Sequence, residues 1–188
     1  MIEACASRQV PYRPGVDSGQ MKPIILLDID GVLNPALRSR PGAVRPDPLL
    51  SCEKKALVRR LARSGRIAWV STWQADFTAD LEGQLDLEVE PLRVTLLIRD
   101  ADDREPTPKL RSVTRWLARM HDAGDADWDS VVWIDDVLGP DARKWAHAHH
   151  QPVLLEKPAP DTGLAETHII AVEVFVEDGG GGVGAPTP

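Results

Sequence analysis

The chain has no apolar run approaching membrane-spanning length, and its first 20 residues hold no signal-peptide hydrophobic region. Two cysteines, Cys5 and Cys52, make neither a disulfide framework nor a zinc-binding spacing. The expected setting is therefore reducing and cytoplasmic, with no membrane partner. No internal repeat is found. A net positive charge is also missing: the formal charge is −7, which argues against bulk nonspecific binding to nucleic acid. What remains is ordinary for a globular enzyme or binding domain, with 188 residues, 43% hydrophobic and 27% charged. That length suits one domain with a real core.

The most informative stretch is Ile24-Ile25-Leu26-Leu27-Asp28-Ile29-Asp30-Gly31-Val32-Leu33. A short, wholly apolar run reads as a strand buried on both faces, as in a parallel sheet covered by helices. Its polar end then lies at the carboxyl edge, where such sheets bind ligands. An extended backbone points Asp28 and Asp30 to one side. Two carboxylates held that close repel unless a cation or a proton lies between them. Gly31 lets the chain turn away with little bulk near the site.

This stretch resembles motif I of the haloacid dehalogenase (HAD) superfamily, Asp-x-Asp-Gly-(Val/Thr)-Leu, without departure. The resemblance implies that Asp28 is a phosphoryl-accepting nucleophile and Asp30 a general acid/base. Later segments resemble the remaining motifs in order. Ile67-Ala68-Trp69-Val70 is a second apolar strand, and it runs into Ser71-Thr72-Trp73. In the family such a strand ends in a hydroxyl that holds the phosphate, here Ser71, or Thr72 if the strand is one residue longer. Thr107-Pro108 reads as a helix N-cap and first residue. Lys109 then falls in the first turn, where a cation opposes the helix dipole and calls for a compensating anion. The resemblance makes Lys109 the motif III cation, with Arg111 the fallback. Val131-Val132-Trp133-Ile134 is a third apolar strand, and it stops in Asp135-Asp136. Two strands that end in carboxylate pairs point to a hard cation with oxygen ligands. The resemblance names it as Mg2+, held by Asp28, Asp30, Asp135 and Asp136, with Asp135 the direct ligand of the last pair.

Other segments fill in the domain. Residues 1–20 read as a loose extension, 21–177 as the HAD-like hydrolase domain and 178–188 as a Gly/Pro-rich disordered tail. Asp47-Pro48 looks like the start of a helix that Ser64-Gly65 ends. Further helices are expected over Gln74–Leu85, Pro140–His150 and Ala165–Glu177, a strand at Pro152–Leu155, and one short strand within Leu87–Leu97. The charged loop Asp100–Glu105 lacks the glycine and spacing of a calcium loop. His147, His149 and His150 near a helix C-terminus suit the dipole better than a metal. Alternating strands and helices imply an α/β fold, a doubly wound Rossmann-like parallel sheet with right-handed crossovers. By resemblance the motif I strand is central and the fold HAD-like. The intervals after motifs I and II leave room for a minimal cap or none.

From Leu37 to Arg66 nine basic residues face two acids. Most belong to a solvated helix face. Arg38, Arg40 and Arg45 instead lie in the loop just after the acidic pair, where they suit a substrate with several phosphates. The Trp73-bearing motif II and the Asp-Asp motif IV also resemble the HAD domains of Swiss-army-knife RNA repair proteins, which implies a nucleic-acid end as substrate. A small-molecule phosphatase and a non-catalytic HAD-fold binding protein are the competing expectations. A receiver-type signalling domain fits less well, since it lacks the Asp-x-Asp spacing.

Overall fold

Ile24–Leu27 forms β1, and every residue in it is fully buried. It pairs in parallel with β2 (Arg66–Trp69) on one side and β4 (Val131–Ile134) on the other. β3 (Leu92–Arg93) and β5 (Val153–Glu156) complete an all-parallel sheet in the order β3-β2-β1-β4-β5. β1 is therefore central, as expected. The computed structural model describes residues 21–34, 50–97 and 102–180. The expected extension 1–20, Arg38, Arg40 and Arg45, the Asp47-Pro48 helix start and residues 181–188 of the tail lie outside the described residues.

Alternation along the strands splits the core into two layers. Ile25, Leu27, Ile67, Trp69, Val132 and Ile134 face one layer. It is covered by α1 (Cys52–Ser64), α2 (Ala75–Leu85) and α5 (Glu166–Glu177), through residues such as Leu61, Leu81 and Val172. Ile24, Leu26, Ala68, Val131 and Trp133 face the other, under α3 (Leu110–Ala123) and α4 (Pro140–Ala148). Each fully buried aliphatic side chain contributes about 1.5–3 kcal/mol relative to exposure. This is the doubly wound α/β arrangement. Among the described residues, the interval between β2 and α3 holds α2, β3 and a short 3-10 turn at Asp102–Arg104. No described helix is long and apolar enough to cross a membrane.

Element boundaries differ from expectation where side chains compete for backbone groups. α1 begins after Ser51, whose hydroxyl accepts the Lys54 N–H at 3.2 Å. α3 begins at Leu110, three residues past Thr107, which is not its N-cap. The short strand expected within Leu87–Leu97 is β3, two residues at the sheet edge. Phe77 on α2 is 39% exposed and packs against Trp73.

The loop between β5 and α5 is fastened to the turn that follows β1. Leu164 N donates to Val32 O at 2.8 Å. Gly163 has φ +64°, and a Cβ there would lie 2.3 Å from Val32 O. Lys54 donates from α1 to Thr162 O and Leu164 O.

Candidate active site

Sheet register builds the site. Leu27 pairs with Ile134, so the next residues, Asp28 and Asp135, emerge side by side at the carboxyl edge. Asp28 N donates to Ile134 O at 3.0 Å, which extends the ladder one step past the strand. Both carboxylates are buried: Asp28 is 3% exposed and Asp135 fully covered. Backbone N–H groups aim them. Asp28 Oδ1 accepts from Ile29 N at 2.7 Å, and Asp135 Oδ1 from Val137 N at 2.8 Å. Their other oxygens meet Lys109, whose Nζ lies 2.5 Å from Asp28 Oδ2 and 3.0 Å from Asp135 Oδ2.

Asp136 completes a cluster of three buried carboxylates, with one oxygen of each within 4.8 Å of the others. The approach of Asp136 depends on Gly31. A Cβ at Gly31 would lie 2.4 Å from Asp136 Cγ, and the backbone there is left-handed, φ +79°. Gly31→Ala is thus expected to cost about 1–2 kcal/mol for the conformation alone, and to displace the Asp136 carboxylate as well. Denaturant unfolding would read the first effect and calorimetric magnesium titration the second. Unchanged magnesium affinity would show that Asp136 is not held by this contact.

Charge decides what the cluster needs. Three carboxylates face one ammonium in a buried place, and uncompensated buried charge is costly. Burial, and then the Asp135 charge, push the Asp28 carboxyl up to about 8 against the opposing pull of Lys109. For Lys109, burial pulls the ammonium down, but the attraction of Asp28 and Asp135 outweighs it and holds the group above its ordinary value. An all-oxygen donor set with surplus negative charge fits a hard divalent cation such as Mg2+.

The position of Lys109 is itself supported. Thr107 is 2% exposed. Its hydroxyl donates to Asp141 Oδ1 at 2.7 Å and accepts from Gly139 N at 2.7 Å, while its N–H donates to Asp141 Oδ2 at 3.1 Å. Thr107 thus ties the segment before α3 to the start of α4, two residues from Lys109. Thr-Pro before a periodic apolar run has the signature of a helix cap, a role this hydroxyl does not play.

The remaining expected residues divide. Asp30 is expected among the metal ligands, whereas the three carboxylates that converge are Asp28, Asp135 and Asp136. The Asp30 carboxylate is half-buried and accepts from Trp73 Nε1 at 2.9 Å. Ser71 is half-buried after β2, and its hydroxyl accepts from Trp73 N at 3.3 Å, while Thr72 is exposed. Arg111, the fallback for Lys109, is more than half exposed and lies 3.9 Å from Asp102. The His149 ring lies tilted against His150, 4.6 Å between centres, and against Trp145 at 4.9 Å. Among the described residues, the three histidines do not form a metal-binding group. Sequence reasoning missed Trp73 as a partner of Asp30, since a tryptophan after an apolar strand reads as core.

Residues 24–169 match the family described as the HAD domain in Swiss Army Knife RNA repair proteins. No curated protein matches the chain, and no solved structure does.

Proposed function

Because the chain belongs to the family of HAD domains found in Swiss Army Knife RNA repair proteins, we propose that it is a magnesium-dependent phosphohydrolase working through an aspartyl-phosphate. The observation that carries this reading is the convergence of Asp28, Asp135 and Asp136 with Lys109 at the carboxyl edge of the central strands. Bound magnesium, held by those three carboxylates, would neutralise charge on the phosphoryl oxygens.

In the proposed reaction an oxygen of Asp28 attacks phosphorus, and the phosphorus–oxygen bond to the leaving group breaks. Asp30 gives its proton to the departing oxygen. Lys109 offsets charge shared between nucleophile and phosphate, and Ser71 binds the transferring oxygens, with Thr72 beside it. A water molecule then loses a proton to Asp30 and attacks the aspartyl-phosphate. Inorganic phosphate leaves, and the Asp28 carboxylate is restored.

For the substrate, the reading favours an extended phosphate, with a polynucleotide end ahead of a phosphoprotein. With no large cap among the described residues between β2 and α3, a small ester gains little enclosure, so binding energy must come from a longer ligand. Arg38, Arg40 and Arg45 follow the acidic strand in the sequence, and arginine pairs well with phosphate. The domain is expected in the cytoplasm.

The test is a magnesium-dependent phosphatase screen over sugar phosphates, nucleotides, phosphopeptides and end-phosphorylated oligonucleotides. Preference for the oligonucleotide, lost with Arg38, Arg40 and Arg45 replaced together, supports the reading. Efficient turnover of a sugar phosphate points to a small-molecule phosphatase. No turnover of any class, with magnesium bound, points to a non-catalytic HAD-fold binding protein.

A further inference from the structure

Trp73 belongs to the core and to the site at once. It is 7% exposed and packs with the residues under α1, α2 and α5. Phe77 lies edge-on to it, 6.2 Å between ring centres at 76°. From this fixed ring, Nε1 donates to Asp30 Oδ2 at 2.9 Å. The backbone of Asp30 is held as well, by a bridge to Asn34 in which Gly31 N donates to Asn34 O at 3.3 Å.

The chemistry of the donor matters. An indole N–H donates only and does not ionise near neutral pH. The oxygen it meets must therefore offer a lone pair whether Asp30 is charged or neutral. A proton on Asp30 belongs on the other oxygen, Oδ1. Asp28 and Asp135 are aimed by backbone N–H groups and by Lys109. Asp30 is aimed instead by a neutral side chain brought from β2's far end, 43 residues along the chain.

We propose that Trp73 is a positioning residue for Asp30, fixing the carboxyl plane so that Oδ1 faces the reacting oxygens. This rests on the reading of Asp30 as the general acid/base. In the first step the Asp28 oxygen–phosphorus bond forms and the ester phosphorus–oxygen bond breaks, and the departing electron pair takes the Oδ1 proton. In the second, water yields a proton to Oδ1 as its oxygen bonds phosphorus. The bond between phosphorus and Asp28 breaks, releasing inorganic phosphate.

Leaving-group chemistry tests the role. A nitrophenolate leaves without being protonated, whereas an alkoxide requires an acid. kcat/KM reports the first step, where this difference acts. A positioned acid contributes roughly 10²–10⁴-fold, so Trp73→Phe is expected to lower kcat/KM at least about tenfold on an alkyl phosphate and less than about threefold on p-nitrophenyl phosphate. Phe77→Leu keeps the N–H donor, so the gap between its losses on the two esters should be smaller than for Trp73→Phe. If Trp73→Phe does not fold, benzothienylalanine placed at 73 removes the N–H and keeps the ring shape, and the same two rates are read. Equal losses on both esters overturn the positioning role and leave the proposed reaction standing. An end-phosphorylated oligonucleotide serves as the alkyl ester where small ones turn over slowly, and no turnover of it or of the aryl ester by the intact protein with magnesium overturns the proposed reaction, and this role with it.

Discussion

Replacing Asp28 by Asn is expected to lower magnesium-dependent phosphatase turnover by on the order of 10⁴-fold or more, as when the nucleophile of a catalytic unit is removed. An amide oxygen attacks phosphorus poorly and is a weaker ligand for a hard cation. The fold should survive, because the backbone bond from residue 28 to Ile134 O does not involve the side chain. Stability in the metal-free state should change in a defined direction. Asp28 is raised from 3.8 to about 8, so the folded state holds its proton more tightly than the unfolded chain does. Folded stability therefore falls as pH rises across that window. Asn has no proton to lose there, so the metal-free variant should be at least as stable at neutral pH, with a flatter pH dependence. Turnover of an aryl phosphate and thermal unfolding in chelator would check both halves. Near-normal turnover by the variant would remove Asp28 as nucleophile.

Replacing Lys109 by Met should damage the protein in two ways that magnesium separates. Breaking one side of a buried ion pair costs about 3–5 kcal/mol when the other charge is left behind. Here two carboxylates, Asp28 and Asp135, lose the same ammonium. Metal-free Lys109→Met is thus expected to lose about 3 kcal/mol or more. A cation bound only to the folded state gives back stability in proportion to the logarithm of its concentration over its Kd. Magnesium should therefore restore much of the loss. It should not restore turnover, which is expected to stay down about 10²–10³-fold, the usual effect of losing one donor aimed at developing charge. Urea unfolding with and without magnesium, beside steady-state rates, would decide this. A stability loss that magnesium leaves unchanged would mean that Lys109 does not balance a cation site.

Much of this site was readable from sequence because it depends on where strands stop. Asp28 and Asp135 each follow a run of four apolar residues, and parallel pairing makes such ends neighbours whatever the details. Lys109 was readable because a cation beside a helix start needs an anion, and two are present. The rest depends on contacts that no local pattern encodes. Thr107 looks like a cap, yet it bonds Asp141, 34 residues away. Trp73 looks like core, which it is, and its N–H becomes informative only once Asp30 is seen beneath it. The resemblance groups Asp30 with the metal ligands, and its spacing to Asp28 puts the two side chains on one side. That spacing describes a straight strand, and the chain has already begun to turn at Asp30, where the left-handed Gly31 follows. One helix start moved for a related reason. α3 starts at Leu110 rather than at Pro108, because the Thr107 side chain is committed to Asp141 and Gly139.

The fastening of the β5–α5 loop also bears on how this scaffold can diversify. Loops that hang free accept inserted residues at small entropic cost, since closure grows only with the logarithm of length. The segment at Thr162–Leu164 is not of that kind: three of its backbone oxygens and nitrogens are committed to Val32 and Lys54, and Gly163 leaves no room even for a methyl group. An insertion there would pull on the turn that carries Asp30 and Gly31. New specificity in related domains should accordingly be gained by lengthening the connections after β1 and after β2, while the one after β5 keeps its length.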